Sequence, residues 1–393
     1  MAIQALSIST GQAADGENKF FPRKKITDRI WRKLDRGEDL LIVAPRRVGK
    51  SSILRYIERN PNDGYFVKYI SIMSVDSSNG FFKKLFTSLL EDDEIYGFAK
   101  GYLTNARKII KNFGKKIRSI GFEGIELDAN EQIDYYTETI ELLKSLPKKT
   151  KKIVFLLDEF PDTVLNISKH SQKEAINFLQ QNRDLRQEYG DLNIQFILTG
   201  SIGLGNVVEK LNKKDVINDL THIEVEPLND SEAKELLESL CLGLDKLGIC
   251  LSFDDNTKDY FLQKLTWNIP YYIQLIVDSL VDDGVEIVND KEIDKIFDKV
   301  IKAKTYADYF SNWKNRLRET FEKEQEMLVI KILNYISIHN QMSYDEMKEI
   351  HQNLELQEIL EVLKYDGYIS ENNKVYQFNS PLLKGWWAYH VAE

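Results

Sequence analysis

The sequence predicts an α/β core built on a parallel sheet, then a small helical domain, then a C-terminal unit of three helices and a hairpin. Three observations predict it. Short apolar-rich runs (DLLIVAP, YFVKYISI, KKIVFLLDEFPD, NIQFILTGS) alternate with amphipathic segments up to residue 228, the pattern of a sheet covered on both faces. Strand-like runs then cease from Asn229 until near the C-terminus. The last seventy residues give helical periodicity three times and end in two short β-rich stretches around a polar turn.

The elements follow in order. Residues 1–18, small, polar and glycine-containing, read as a flexible tail. Ile26, Ile30 and Leu34 share helical spacing, with Gly37 as the stop. DLLIVAP is a strand, and RRVGKSSILRYIERN returns to helical periodicity. A second strand spans Tyr65 to Ile72, and helices are expected over 78–104 and 132–146. The third strand is KKIVFLLDEFPD; a helix over 170–188 follows, then a fourth strand, NIQFILTGS, and a short fifth, HIEVEPL. The α/β domain thus occupies 19–228 and the helical domain 229–302, opened by an N-cap with acidic residues in the first turn. An aromatic, charged connecting helix covers 303–320, and residues 321–393 are three helices, a hairpin and an aromatic tail, the order of a winged-helix domain.

A chain of 393 residues exceeds one comfortable core, and 42% apolar residues suffice for several. A net charge of -9 gives no global attraction to nucleic acid or to an anionic membrane. Cys241 and Cys250 lack metal-ligand spacing and read as reduced thiols. The N-terminal residues lack a signal-peptide pattern and no apolar run is long enough to span a bilayer, so a cytoplasmic protein without a membrane partner is expected.

Ala44-Pro45-Arg46-Arg47-Val48-Gly49-Lys50-Ser51 has the spacing of a phosphate-binding loop, with alanine at the first glycine position. Main-chain N–H groups of such a loop, backed by a helix N-terminus, make a concave site for phosphate oxygens. Lys50 is expected to reach the β- and γ-phosphates of ATP and Ser51 to ligate Mg2+, with Ser52 one position on and without a metal role. The third strand ends in Asp158 and Glu159. In a parallel sheet that end lies on the edge where ligands collect. There Asp158 is placed to hold Mg2+ and Glu159 to orient and deprotonate an attacking water. Thr199 and Ser201 end the next strand, either touching the γ-phosphate or lytic water or capping the following chain.

These motifs together resemble the prokaryotic ATPase branch of the AAA+/STAND P-loop proteins, a group related to archaeal and origin-recognition ATPases. The resemblance covers roughly residues 20–390 and rests on FFPRKKITDRIWRKL, APRRVGKSS, FLLDEF, FILTGSIG and WNIPYYIQ. It implies a P-loop NTPase core, a helical lid and a winged helix, with ATP and Mg2+ as ligands. Arg23 sits like the family's glycine–arginine motif, and FILTGSIG resembles its sensor 1 strand. The family's Gly-x-Pro near the adenine maps onto Asn268, Ile269 and Pro270, matching at proline and not at glycine. No arginine stands where other AAA+ branches carry sensor 2, as is usual in this group. Association on ATP binding is a further implication.

Arg46 and Arg47 could face phosphate, a neighbouring subunit or the protein's own acidic surface. Lys210, Lys213 and Lys214 follow the sensor 1 strand, where relatives carry an arginine finger, but lysine lacks arginine's fork. Residues 321–379 hold five lysines against eleven carboxylates. Duplex DNA would meet like charge there, which favours a protein partner over DNA. The basic stretch from Arg107 to Arg118 is either an anion contact or a solvated helix face. Trp386, Trp387 and Tyr389 either pack inward or anchor a partner. The functional expectation is a switch or motor driven by ATP, the alternative a nucleotide-binding scaffold or DNA-binding protein with little turnover.

Overall fold

The computed structural model describes residues 3–10, 16–93, 95–97, 133–147, 151–187, 193–200, 203–350 and 355–392. Expectations for Ser201 and for the basic stretch Arg107–Arg118 fall outside them. The chain divides into two compact units, and the division interleaves: one comprises Lys24–Val43 and Ile57–Ile223, the other Met1–Arg23, Ala44–Tyr56 and Glu224–Glu393.

The first unit holds a mixed α/β core with a parallel sheet typical of P-loop NTPases. Its strands are β1 (Leu40–Val43), β2 (Tyr65–Ser71), β3 (Lys152–Asp158), β4 (Ile194–Thr199) and β5 (Thr221–Glu224), in the order β2-β3-β4-β1-β5. β3 pairs in parallel with β2 and β4, and β4 with β1. Six consecutive residues of β3 and all six of β4 are buried. Both faces are therefore covered, as their unbroken apolar runs require. Around the sheet lie α1 (Lys24–Asp35), α3 (Ser78–Leu90), α4 (Tyr135–Ser145), α5 (Phe160–His170), α6 (Gln172–Gln187) and α7 (Leu204–Lys210), with α2 (Lys50–Arg59) following β1. α1 buries Thr27, Ile30, Trp31 and Leu34, an i, i+3, i+4, i+7 stripe. Ser77 caps α3 through the Gly80 N–H, and Asp134 caps α4. Phe81 sits edge-on to Phe178 at 4.8 Å, within an aromatic cluster that includes Phe82 and Phe160.

At the amino ends of β1 and β4 the Phe196 N–H donates to the Asp39 carboxylate at 2.6 Å, while Gln195 donates to the carbonyls of Leu34 and Glu38. Burial pushes Asp39 up to about 7, against the opposing pull of that hydrogen bond and of Arg186.

The second unit is helical apart from one small sheet. α8 (Asp230–Asp245) opens on a reciprocal capping box between Asn229 and Glu232. α9 (Asp255–Leu265), α10 (Pro270–Asp282), α11 (Asp290–Lys302) and α12 (Lys304–Thr320) follow. Then come α13 (Lys323–His339), β6 (Met342–Ser343), α14 (Tyr344–Ile350), α15 (Leu356–Tyr365), β7 (Ile369–Asn372), β8 (Val375–Phe378) and α16 (Pro381–His390). The three strands form an antiparallel sheet, β6-β8-β7. α16 is the segment expected as an aromatic tail; it buries Trp386 and Trp387, and the Trp387 indole N–H donates to Asn334. In the stretch read as a flexible tail, Leu6 is 1% exposed and its N–H donates to the Ser239 carbonyl of α8. A side chain at Gly243 would collide with that segment, since its Cβ would stand 1.8 Å from the Leu6 carbonyl oxygen. Among the described residues no helix is long and apolar enough to cross a membrane.

Candidate functional site

In the first unit, the carboxyl edge of the sheet collects three of the expected residues. Ser71 pairs in register with Asp158, Leu157 with Leu198, and Ile42 with Thr199. Asp158 and Thr199 therefore end neighbouring strands at one level, and β1 ends on the same edge. Asp158 is 6% exposed, and Tyr69 on β2 donates its hydroxyl to Asp158 Oδ2 at 2.9 Å. That hydrogen bond fixes one carboxylate oxygen without neutralising the charge. Glu159 is half-buried and caps α5 with a left-handed backbone (φ 60, ψ 40), a conformation that is strained for a residue with a Cβ. Its carboxylate makes no cap hydrogen bond to that helix. Thr199 is fully buried, and its Oγ1 has no hydrogen-bond partner among the described residues. A cavity of about 390 Å³ lies elsewhere in this unit, between α3, α4 and α6. Its lining groups satisfy one another, Ser78 with Glu174 and Gln181 and Asn79 with Ile133, which leaves little for a ligand.

The loop 44–49 leaves β1 directly and belongs to the second unit. Arg47 (φ 65) and Gly49 (φ 101) take left-handed conformations, so the chain turns sharply before α2 begins at Lys50. Gly49 is thus required by backbone geometry, whereas at position 44 an alanine with 7% exposure fits without a positive φ. Lys50 is 8% exposed and its Nζ donates to the carbonyls of Ala44 and Pro45, each at 2.9 Å. The ammonium is thereby held over the loop it serves. Ser51 and Ser52 stand half-buried in the first turn of α2, and Val48 packs inside.

Other parts of the second unit gather on this loop. The Arg47 guanidinium lies 4.3 Å from the ring centroid of Tyr271. Tyr271 follows Pro270, which starts α10 at its first turn, where a missing N–H costs nothing. Asn268, on the approach to α10, donates to Asp230 at 2.9 Å and leaves its own Oδ1 without a partner among the described residues. Arg46 donates to the Asn312 carbonyl on α12. Arg23 is nearly buried and donates to the Glu226 carbonyl at 2.7 Å, a tie to the start of the helical segment. Burial lowers its pKa, and Glu232 and Glu226 offset part of that.

Sequence reasoning did not single out Tyr69 and Tyr271, which contact Asp158 and Arg47, nor the buried Arg316 and Asp366 of the second unit. Arg316 had a legible signal: Tyr306, Phe310, Trp313, Leu317 and Thr320 form the buried stripe of α12, and position 316 lies on that stripe.

No protein-family model matches the chain, and no curated protein matches it. Its fold is similar to that of the Walker-type ATPase paby2304 of Pyrococcus abyssi, with 15% identity, coverage of 96% of this chain and 98% of that one, and a TM-score of 0.63. It is also similar to the ORC2 protein of Aeropyrum pernix, solved as ADPNP–ADP complexes, with 9% identity, coverage of 98% of each chain and a TM-score of 0.51. The chain shares the fold of these two structures.

Proposed function

We propose that the chain binds ATP with Mg2+ and hydrolyses it, as a switch or motor whose helical and C-terminal segments transmit the change to a partner. The observation that carries this reading is the loop itself: a strand ending beside Asp158 and Thr199 on one sheet edge runs straight into a turn with Gly49 left-handed and Lys50 opening a helix. That turn leaves main-chain N–H groups and a helix N-terminus for phosphate oxygens. The solved ORC2 relative was crystallised with nucleotides, in keeping with this assignment.

In this reading Lys50 binds the β- and γ-phosphates, and Ser51 and Asp158 hold Mg2+. The donor set suits that metal: a serine hydroxyl and a carboxylate are hard oxygen donors, and Mg2+ in nucleotide sites takes one or two protein ligands and completes its shell with phosphate and water. When bound, it offsets charge on the phosphoryl oxygens. Glu159, at a strained position beside Asp158, accepts the proton of the attacking water, and Thr199 offers its hydroxyl to the terminal phosphate or that water. Arg47 and Tyr271, with Asn268 and Pro270, take the base and sugar side. Residues 229–302 act as the lid and 321–393 as a winged helix whose acid-rich surface suits a protein partner better than duplex DNA.

The decisive experiment is ATP binding and steady-state phosphate release on the wild type, Lys50→Ala and Glu159→Gln. The expected pattern is binding lost in the first variant, and turnover lost with binding kept in the second. Wild-type binding without turnover, alone or with DNA at two salt concentrations, would favour a nucleotide-dependent scaffold; absence of Lys50-dependent binding would end the reading altogether.

A further inference from the structure

α12 carries an arginine that the phosphate loop's own motif does not include. Arg316 is 4% exposed, and its Nε and Nη2 have no hydrogen-bond partner among the described residues. A buried guanidinium with unsatisfied donors is costly, which makes it a marker of an anion. Asp366, at the end of α15, is 3% exposed and its Oδ1 likewise has no partner among the described residues.

Three contacts bring these two residues to the loop, all within one compact unit. Arg46 donates to Asn312, one turn before Arg316 on α12. Tyr368, two residues past Asp366, donates to the Trp313 carbonyl on the same turn at 2.6 Å. Gly367 abuts Pro45, whose carbonyl receives the Lys50 ammonium. Arg316, Arg46 and Lys50 all act on the Asp366 carboxyl, which burial nonetheless raises to about 6. Three cations thus act on one buried carboxyl, while Arg46 itself is half-buried and Lys50 is hydrogen-bonded to main-chain carbonyls. Their excess positive charge calls for an anion of more than one charge, and the Lys50 end of the loop is where a triphosphate would present its terminal phosphate.

We propose that Arg316 is a phosphate-binding residue of the nucleotide site, directed at the terminal phosphate of a nucleoside triphosphate, and that Asp366 is the buried carboxyl that competes with that phosphate for it. This rests on the ATP reading above and extends it: the residue that tells triphosphate from diphosphate lies on the helix leading into the C-terminal segment. Loss of the terminal phosphate leaves the Asp366 carboxyl as the anion that acts on Arg316, and this makes the interaction of α12 with the end of α15 nucleotide-dependent.

The test is equilibrium binding of fluorescent ATP and ADP analogues to the full chain, in the wild type, Arg316→Gln, Arg316→Lys, Asp366→Asn and Lys50→Ala, with thermal melts to establish folding. Arg316→Gln is expected to weaken ATP about ten- to hundred-fold, the worth of a charge-assisted hydrogen bond, and ADP several-fold less. Arg316→Lys should recover part of the loss. Asp366→Asn, which removes the competitor, should tighten ATP, and it serves as the measurement should Arg316→Gln fail to fold. Equal weakening of ATP and ADP in Arg316→Gln, ATP affinity within two-fold of wild type, or an Asp366→Asn variant that binds ATP no more tightly would each overturn the proposal while Lys50-dependent binding stood. A wild type that binds neither nucleotide would remove the ATP reading itself.

Discussion

Gly367 and Pro45 meet with no space between them for a side chain: a Cβ at Gly367 would stand 2.8 Å from that of Pro45 and 3.1 Å from the Trp267 ring. The glycine also holds φ 87, which L side chains rarely adopt. Position 367 is therefore constrained twice, by backbone and by neighbour, and the neighbour belongs to the loop 44–49 proposed to bind phosphate. Gly367→Ala is expected to cost roughly 1–3 kcal/mol of stability, from left-handed strain together with overpacking. Urea denaturation measures that term. Because the loop must shift to admit the methyl group, ATP affinity should fall with it; an alanine variant of unchanged stability would show that the contact yields cheaply.

Tyr271 offers a cleaner separation of ring from hydroxyl. Its ring carries the Arg47 guanidinium, while its OH has no hydrogen-bond partner among the described residues. Tyr271→Phe should hold stability and nucleotide affinity near wild type, since the ring face that attracts Arg47 is kept. Tyr271→Ala should lose about 3–5 kcal/mol of stability through the cavity and the lost cation–π contact together. Denaturant midpoints of the two variants, measured side by side, check this; a phenylalanine variant as damaged as the alanine one would assign the hydroxyl a partner instead.

The strands and the loop were legible because their signals are local. Unbroken apolar runs can only be strands covered on both faces, and a glycine before lysine at a strand–helix junction marks a turn. The short β6 strand was not legible, since two residues carry no periodicity, and α5 was missed because Phe160-Pro161-Asp162 were read as the end of the third strand although proline suits the first turn of a helix. α16 shows the same oversight: Ser380 followed by Pro381 is a cap and a first-turn proline, and the aromatic residues after them form a helix. Of the residues of the proposed site, Asp158, Thr199 and Lys50 stand in local sequence patterns, while the pairing of Arg316 with the region of Asp366 depends on contacts between segments far apart in sequence. Only the folded chain brings α12, α15 and the loop together.

Asp39 predicts a pH dependence with a definite sign. Its ordinary value of 3.8 rises to about 7 in the folded protein, mainly through burial. Between those values the folded state binds more protons than the unfolded state, so this group's contribution is fully present below about 4 and is lost as pH rises through about 7. Asp39→Asn keeps an oxygen for the Phe196 N–H and carries no charge at any pH. Relative to that variant, the wild type should lose stability steadily from about pH 4 to pH 7 and level off above that. Melting temperatures of both proteins across that range test it, and parallel curves would place the Asp39 carboxylate in contact with water.

Thr199→Val separates a structural hydroxyl from a functional one. The side chain is fully buried on β4, its Oγ1 has no partner among the described residues, and valine reproduces its shape and its fit to a strand. Removing an unsatisfied buried hydroxyl should leave stability unchanged or raise it by up to about 1 kcal/mol. ATP affinity should stay within about two-fold, because main-chain amides and Lys50 carry ground-state binding in the proposed site. Phosphate release should fall about ten- to hundred-fold if the hydroxyl meets the terminal phosphate or the attacking water, an interaction that matters more as charge develops. Single-turnover hydrolysis beside a binding titration gives both numbers on one preparation. Unchanged turnover would mean that Thr199 only ends its strand, and the water would then be positioned by Glu159 without it.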